Sequence, residues 1–324
     1  MNSITLIIPC HNEQNNVKNF YETSIKVIKQ LPLPYYEYIF VDDGSADNTL
    51  AEIKKLTIRD ECVKYLSFSR NFGKEAAIFA GLQHVSGDFA AILDADMQDP
   101  PELLLEMYQT IKNEELDCVA ARRENRKGEP PIRSFFAKKF YTLINKMADI
   151  NIPDGARDFR LMKRNMIDSL ITLGEKSRFS KGLFAWTGFR TKYISYENIE
   201  RYAGRSNWSF WSLLKYSIEG IITFSSLPLS IASFFGIAFS FIASILILYF
   251  VIQKLIWGIA ITGWATMMCL ILLLGGVQLL CIGVLGQYIA KLFVEVKNRP
   301  VYILREHSFG DYVVFNHGQR NTKE

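Results

Sequence analysis

The chain has 324 residues, a net charge of +4 and a hydrophobic fraction of 49%. That length is enough for one large domain or two small ones with ample core. The mild charge, with no basic helix interleaved with aromatics outside the membrane-proximal region, argues against a nucleic-acid partner. The five cysteines (Cys10, Cys62, Cys118, Cys269 and Cys281) form no CxxC pair and read as reduced structural thiols.

In chain order, residues 3–9 (SITLIIP) predict a short apolar strand, and 15–31 a helix that stops before Pro32 and Pro34. Residues 36–41 (YEYIFV) predict a second strand and 47–57 a helix, with Ser45 or Asp47 offering the N-cap. A third strand at 63–68, a helix at 73–85 and a fourth strand at 89–93 follow. A helix at 101–113 has Pro101 in its first turn, and 116–121 predicts a fifth strand. Strands alternating with helices of about a dozen residues imply a mostly parallel, doubly wound α/β sheet. Residues 122–133 (RRENRKGEPPIR) are basic and turn-rich and read as a loop, with a solvated charge run as the plainer alternative. Residues 134–148 return to helical spacing.

The last third changes character. Residues 206–222 (SNWSFWSLLKYSIEGII) suit an amphipathic helix lying in the headgroup region, or a helix packed on the sheet. Residues 220–253 and 255–290 hold no Asp, Glu, Lys or Arg, and each run exceeds the ~20 residues that cross a bilayer. Two spans near 229–252 and 263–289 are expected. The N-terminus lacks a signal-peptide pattern. Lys215 precedes the first span, and Lys291, Lys297, Arg299 and Arg305 follow the second, while only Lys254 lies between them. The positive-inside rule then puts both ends in the cytoplasm, with the protein in the plasma membrane. The expected division is a catalytic domain over 1–205, an interfacial segment over 206–226, two spans over 227–290 and a cytoplasmic tail over 291–324.

Three polar turns are expected at one sheet edge. Pro9-Cys10-His11-Asn12-Glu13 follows the first strand, Asp42-Asp43-Gly44-Ser45 the second, and Asp94-Ala95-Asp96 the fourth. Ligands of open α/β sheets bind at the carboxyl ends of the strands. There is no glycine-rich phosphate loop of the GxGxxG or GxxxxGK[ST] type, so a phosphate must be neutralised otherwise. A hard divalent cation on Asp94 or Asp96 does this, with help from Arg122, Arg123, Arg126 or Arg133. That fits a nucleotide-sugar donor better than hydride chemistry. Lys74 and Glu75 read as ordinary helix-start residues and stay outside the predicted site.

The order IPCHNE, VDDGS, DADMQDPPE and DFRLM resembles the family-2 glycosyltransferases of the GT-A fold. The DADMQDPPE form and the two C-terminal apolar runs resemble, within that family, the polyprenyl-phosphate glycosyltransferases. This is the group of the bactoprenol glucosyltransferases and the dolichol-phosphate mannose synthases. The likeness runs from Ile4 to about Arg299. It implies that Pro9, His11 and Glu13 line a nucleotide pocket, with Val41 and Asp43 at the base and ribose. His11 stands where a tyrosine is common. It implies that Asp94, Asp96 and Gln98 hold Mg2+ or Mn2+ and, with Ala95, contact the donor. Arg123 and Arg133 meet the donor diphosphate or the acceptor phosphate, and Asp158 faces the acceptor. Arg201 and Arg205 grip the lipid phosphate. For Asp158 the alternative is a structural pair with Arg157 or Arg160.

The expected reaction is an inverting, metal-dependent transfer of a hexose from a UDP-sugar to polyprenyl (undecaprenyl) phosphate for cell-envelope glycan modification. Glucose is placed first and N-acetylglucosamine second. A GDP-mannose-using mannosyltransferase and a non-catalytic membrane scaffold are the alternatives. A processive polysaccharide synthase is disfavoured, because the chain has no QxxRW motif and only two apolar runs. A homo-oligomer, a tetramer among the options, is expected, with Gly275, Gly276, Gly283 and Gly286 as close-packing positions.

Overall fold

Strand β1 (Ser3–Cys10) is the spine of the fold, and its alternation sets the layers. Ile4, Leu6, Ile8 and Cys10 point into one core, and Ile7 points into another on the opposite face. A computed structural model describes residues 3–124, 145, 152–196, 222, 225–257 and 263–310. On the first face lie α1 (Val17–Ile28), α2 (Thr49–Arg59) and α4 (Leu103–Asn113), through Phe20, Ile53, Leu104, Met107 and Ile111. In α1 the buried positions Val17, Phe20, Tyr21, Ser24, Val27 and Ile28 follow the three-to-four spacing that makes one helix face apolar. On the second face lie α3 (Lys74–Gln83), α5 (Arg164–Thr172) and α6 (Ser180–Trp186). Helix α2 begins at Thr49, whose backbone N–H donates to Asp47.

The remaining strands are β2 (Tyr35–Asp42), β3 (Val63–Phe68), β4 (Phe89–Ile92), β5 (Cys118–Arg123), β6 (Ala156–Lys163), β7 (Thr191–Tyr196) and β8 (Leu304–His307). They form one sheet in the order β7-β5-β6-β4-β1-β2-β3-β8. Pairs β1–β2, β1–β4, β2–β3 and β5–β7 are parallel; β3–β8, β4–β6 and β5–β6 are antiparallel. The sheet is therefore mixed, with the expected parallel pairing in four of its seven pairs. The antiparallel pairs all come from β6 and β8, two strands that the alternation of strands and helices does not announce. Strand β6 enters between β4 and β5, with Ile92 opposite Arg160. Continuing that register by two residues sets Asp158 across from Asp94.

Two long helices follow, α7 (Leu227–Trp257) and α8 (Trp264–Val296). Leu227–Gln253 and Leu270–Val296 are each 27 residues long, and both are long and apolar enough to cross a membrane. Their apolar side chains face outward, with Phe234, Ile237 and Leu272 all more than two-thirds exposed. The second helix does not stop at the predicted 289, because the helical backbone continues through Lys291 and Glu295 beyond the purely apolar run.

After α8 the chain returns to the sheet. Strand β8 pairs antiparallel with β3. Tyr302 stacks on Phe68 at 4.9 Å between ring centroids and donates to Gln83 Oε1 at 2.8 Å, and Lys54 pairs with Glu306. The Glu295 carboxylate accepts the backbone N–H groups of Lys176 and Ser177. The end of α8 is thus tied to the domain at two places.

Candidate active site

The turns after β1 and β2 are laced to each other. Asn12, at φ 58°, takes a left-handed conformation; its N–H donates to Ser45 Oγ and its Oδ1 accepts from Ala46 N. Glu13 N donates to Thr49 Oγ1, and Glu13 Oε2 accepts from Asn16. His11 Nδ1 lies 2.9 Å from the Asp43 carbonyl, which can only accept. The imidazole proton therefore sits on Nδ1, leaving Nε2 to accept from Asn71 at 3.1 Å. Pro9 sits opposite Val41 at the carboxyl ends of β1 and β2.

Two predicted nucleotide contacts look different in three dimensions. Val41 is fully buried among Leu66, Phe68 and Ala76, so only its backbone is offered to a ligand. Asp43 is 3% exposed, and its two oxygens accept the N–H groups of Phe72 and Gly73 at 2.6 and 2.9 Å. Burial pushes this carboxyl up, against the pull of those two bonds. Asp43 thus fixes the loop that leads into α3. Gly44, at φ 62°, completes the same turn, and a Cβ there would lie 2.4 Å from the Arg70 carbonyl carbon. Gly44→Ala is expected to cost about 3 kcal/mol, from left-handed strain plus the clash. Thermal unfolding in detergent reads this; an unchanged midpoint would show that the loop yields.

The turn after β4 carries the acidic cluster. Met97, at φ 60°, folds it back, so that Asp96 Oδ1 accepts the Gln98 N–H at 3.1 Å. Asp96 is 8% exposed and Ala95 is buried, while Asp94 keeps 23% of its side chain open. Gln98 turns elsewhere: its Oε1 accepts from Arg157. Arg157 also pairs with buried Asp99 at 2.9 Å, and Asp99 accepts from the Tyr196 hydroxyl. This group, buried at Asp99 and Tyr196, clamps the acidic turn to the start of β6 and the end of β7. Burial alone would lower the Arg157 pKa, but the Asp99 and Asp94 charges carry it above the usual arginine range.

Asp158 lies opposite. Its alternative pairing with Arg157 or Arg160 does not occur: Arg157 takes Asp99, and Arg160 donates to the carbonyls of Asp158 and Arg157 while stacking over Phe184. The partner is Lys74, the first residue of α3. Its Nζ lies 2.8 Å from Asp158 Oδ2 and 2.6 Å from Asp94 Oδ1. Burial works to raise the Asp158 carboxyl, but the Lys74 charge, with Lys181 and Arg160 behind it, holds it well below the usual carboxylate range. Arg123 ends β5, and its backbone N–H donates to the Gly155 carbonyl. Arg133, Arg201 and Arg205 lie outside the described residues.

The structure therefore brings Asp94, Asp96 and Asp158 to one edge and adds Lys74, Asp99, Arg157 and Tyr196, none of which the sequence placed in the site. Lys74 belongs to no motif with a spacing of its own. Only the fold of the loop pinned by Asp43 carries it to the carboxylates. Asp94 and Asp96 are hard oxygen donors in one tight turn, the kind that Mg2+ or Mn2+ accepts. Among the described residues no group of three or more His, Cys, Asp or Glu gathers to cage a metal. A cation there needs oxygens from its ligand as well, as a diphosphate provides.

Comparisons with known proteins agree on one family. Residues 5–171 match the family described as Glycosyl transferase family 2. CsbB of Bacillus subtilis (strain 168), which carries a glycosyltransferase name, is 44% identical over 303 residues, covering 94% of this chain and 91% of the relative. The bactoprenol glucosyl transferase of Shigella phage SfII is 39% identical over 314 residues, covering 95% of this chain and 99% of the relative. Among solved structures, glucosyl-3-phosphoglycerate synthase from Mycobacterium tuberculosis, in complex with Mn2+ and uridine-diphosphate-glucose, matches 68% of this chain and 77% of its own at 18% identity, with a TM-score of 0.47. A matched region spanning over half the chain and relatives aligned along nearly all of it make this protein a glycosyltransferase belonging to family 2.

Proposed function

We propose that the protein transfers a hexose, glucose in the first place, from a UDP-sugar to polyprenyl phosphate at the cytoplasmic face of the plasma membrane. One observation carries the reading. The acidic turn Asp94–Asp96 and the facing Asp158 share an edge of a sheet whose last strand arrives directly from two helices of membrane length. The relatives named as bactoprenol glucosyl transferases support a lipid acceptor and glucose.

In this reading α7 and α8 cross the bilayer, and their outward-facing apolar side chains meet lipid. Because β8 lies in the catalytic sheet, two crossings bring the chain back to the side it left. Lys291, Lys297 and Arg299 at that end assign the side to the cytoplasm. Residues 206–226 form the interfacial segment, and Arg201 and Arg205 beside it hold the lipid phosphate. Anchoring confines the site to the depth of that phosphate and raises its effective concentration.

Asp94 and Asp96 would hold Mg2+ or Mn2+. A cation bound there offsets the charge that develops on the departing diphosphate. The turns at Pro9–Glu13 and Asp42–Ser45 shape the nucleotide pocket, and Arg123 and Arg133 attend the phosphates. The acceptor phosphate is anionic near neutral pH and serves as its own nucleophile. Its oxygen forms a bond to the anomeric carbon, the bond from that carbon to the β-phosphate oxygen breaks, and the electron pair leaves with UDP. One displacement inverts the anomeric centre. Asp158, an ionised carboxylate held by Lys74, orients the reacting groups rather than collecting a proton.

A donor panel tests the reading. Full-length protein in detergent is given undecaprenyl phosphate, Mn2+ and, in turn, UDP-glucose, UDP-N-acetylglucosamine, UDP-galactose and GDP-mannose, and the lipid product is weighed by mass spectrometry. A hexose added from UDP-glucose is the expected product. Addition from GDP-mannose alone would replace the donor assignment, and no lipid product from any donor would remove the reading.

A further inference from the structure

The ammonium group of Lys74 sits where two demands on one carboxylate meet. It lies 2.6 Å from Asp94 Oδ1 and 2.8 Å from Asp158 Oδ2, and those two acidic side chains are only 23% and 18% exposed. Asp94 is also one of the two carboxylates suited to a divalent cation. Lys74 and such a cation carry the same sign and compete for the same oxygens.

The backbone around the lysine is fixed from both sides. The Asp43 carboxylate holds the N–H groups of Phe72 and Gly73 just before it. Glu75, just after it, accepts both the N–H and the hydroxyl of Ser180 at the start of α6. Movement of Lys74 is therefore movement of its side chain, a flexible four-carbon stem that is 41% exposed. Asp158 is held from behind as well, since Arg160 is buried and bonds the Asp158 carbonyl.

We propose that Lys74 is a positioning residue that acts as a built-in counter-cation. It keeps Asp158 in place throughout the reaction, and it holds Asp94 until a divalent cation arrives with its diphosphate. A free cation must displace the ammonium from Asp94 and binds weakly. A cation carried on a nucleoside diphosphate brings its own anionic oxygens, and the lysine keeps Asp158 as its partner. Cation and donor then bind as one unit, and the orienting carboxylate stays aligned. The role in turnover rests on the transfer proposed above; the competition for Asp94 does not.

The test compares Lys74→Gln and Lys74→Arg with the wild type, all full-length in detergent. Mn2+ binding is followed by the loss of the free-ion electron paramagnetic resonance signal, first without nucleotide and then with UDP. Without nucleotide, Lys74→Gln is expected to bind Mn2+ roughly fivefold tighter, because a competing charge has gone. Lys74→Arg should stay near the wild type, and UDP should tighten Mn2+ binding more in the wild type than in the Gln variant. Unchanged or weaker Mn2+ binding in Lys74→Gln overturns the proposal, as does an equal tightening in Lys74→Arg. In the transfer assay, kcat of Lys74→Gln should fall about 10²-fold with little change in donor KM, and Lys74→Arg should recover part of it. A wild type that makes no sugar lipid would defeat the proposed function, while the Mn2+ comparison would still decide the competition.

Discussion

Asp96→Ala is expected to lower the rate of sugar transfer by at least about 10³-fold, whatever the donor concentration. Asp96 is one of the two carboxylates of the turn suited to a cation, and among the described residues no group of three or more His, Cys, Asp or Glu gathers to replace it. Its second task, accepting the Gln98 N–H, is a local hydrogen bond whose loss costs about 1 kcal/mol. Activity should therefore vanish while the unfolding midpoint moves little. The measurement is a transfer assay beside a thermal melt on the same preparation. A folded variant that still turns over near the wild-type rate would take the cation off this turn.

Asp158→Asn is expected to cost about 10²- to 10³-fold in kcat with donor affinity nearly unchanged. Asn keeps the size and one acceptor oxygen but removes the charge that faces Lys74 at 2.8 Å. In the proposed reaction the acceptor phosphate needs no base, so the loss would come from orientation and field. A rise in donor KM with kcat intact would instead place Asp158 in ordinary donor binding. Asp158→Glu should not restore the rate. The extra methylene would push the carboxylate past an ammonium whose backbone is anchored on both sides by the Asp43 and Glu75 bonds.

The local chemistry of the first half of the fold was legible because its signals are local. The strand at 63–68 and the helix face of α1 follow from runs and spacings within a single element. Strand β6 was missed for the opposite reason. ARDFRLMK alternates poorly, with Arg160 buried by stacking on Phe184 and bonding carbonyls, so a charged residue stands at a core position. Strand β8 is four residues long and gains its partners only after the chain has made two long helices. The acidic turn could be read because Asp94 and Asp96 are neighbours in sequence. Lys74, 20 residues before Asp94 and 84 before Asp158, could not, since nothing in its own segment distinguishes it from a helix-start lysine. Gln98 shows the limit of motif reading: its place in DADMQDPPE suggests a metal ligand, and in the structure its oxygen accepts from the partly buried Arg157.

The most direct test of the account is the fate of the acceptor's phosphorus. Purified full-length protein is mixed with undecaprenyl phosphate, UDP-glucose and Mg2+, and the lipid fraction is followed by phosphorus nuclear magnetic resonance. The phosphomonoester resonance is expected to give way to a phosphodiester, one equivalent per UDP released, with the glucose anomer inverted from that of the donor. UDP released with the monoester untouched would contradict it, because the sugar would then have gone to water or to a different acceptor.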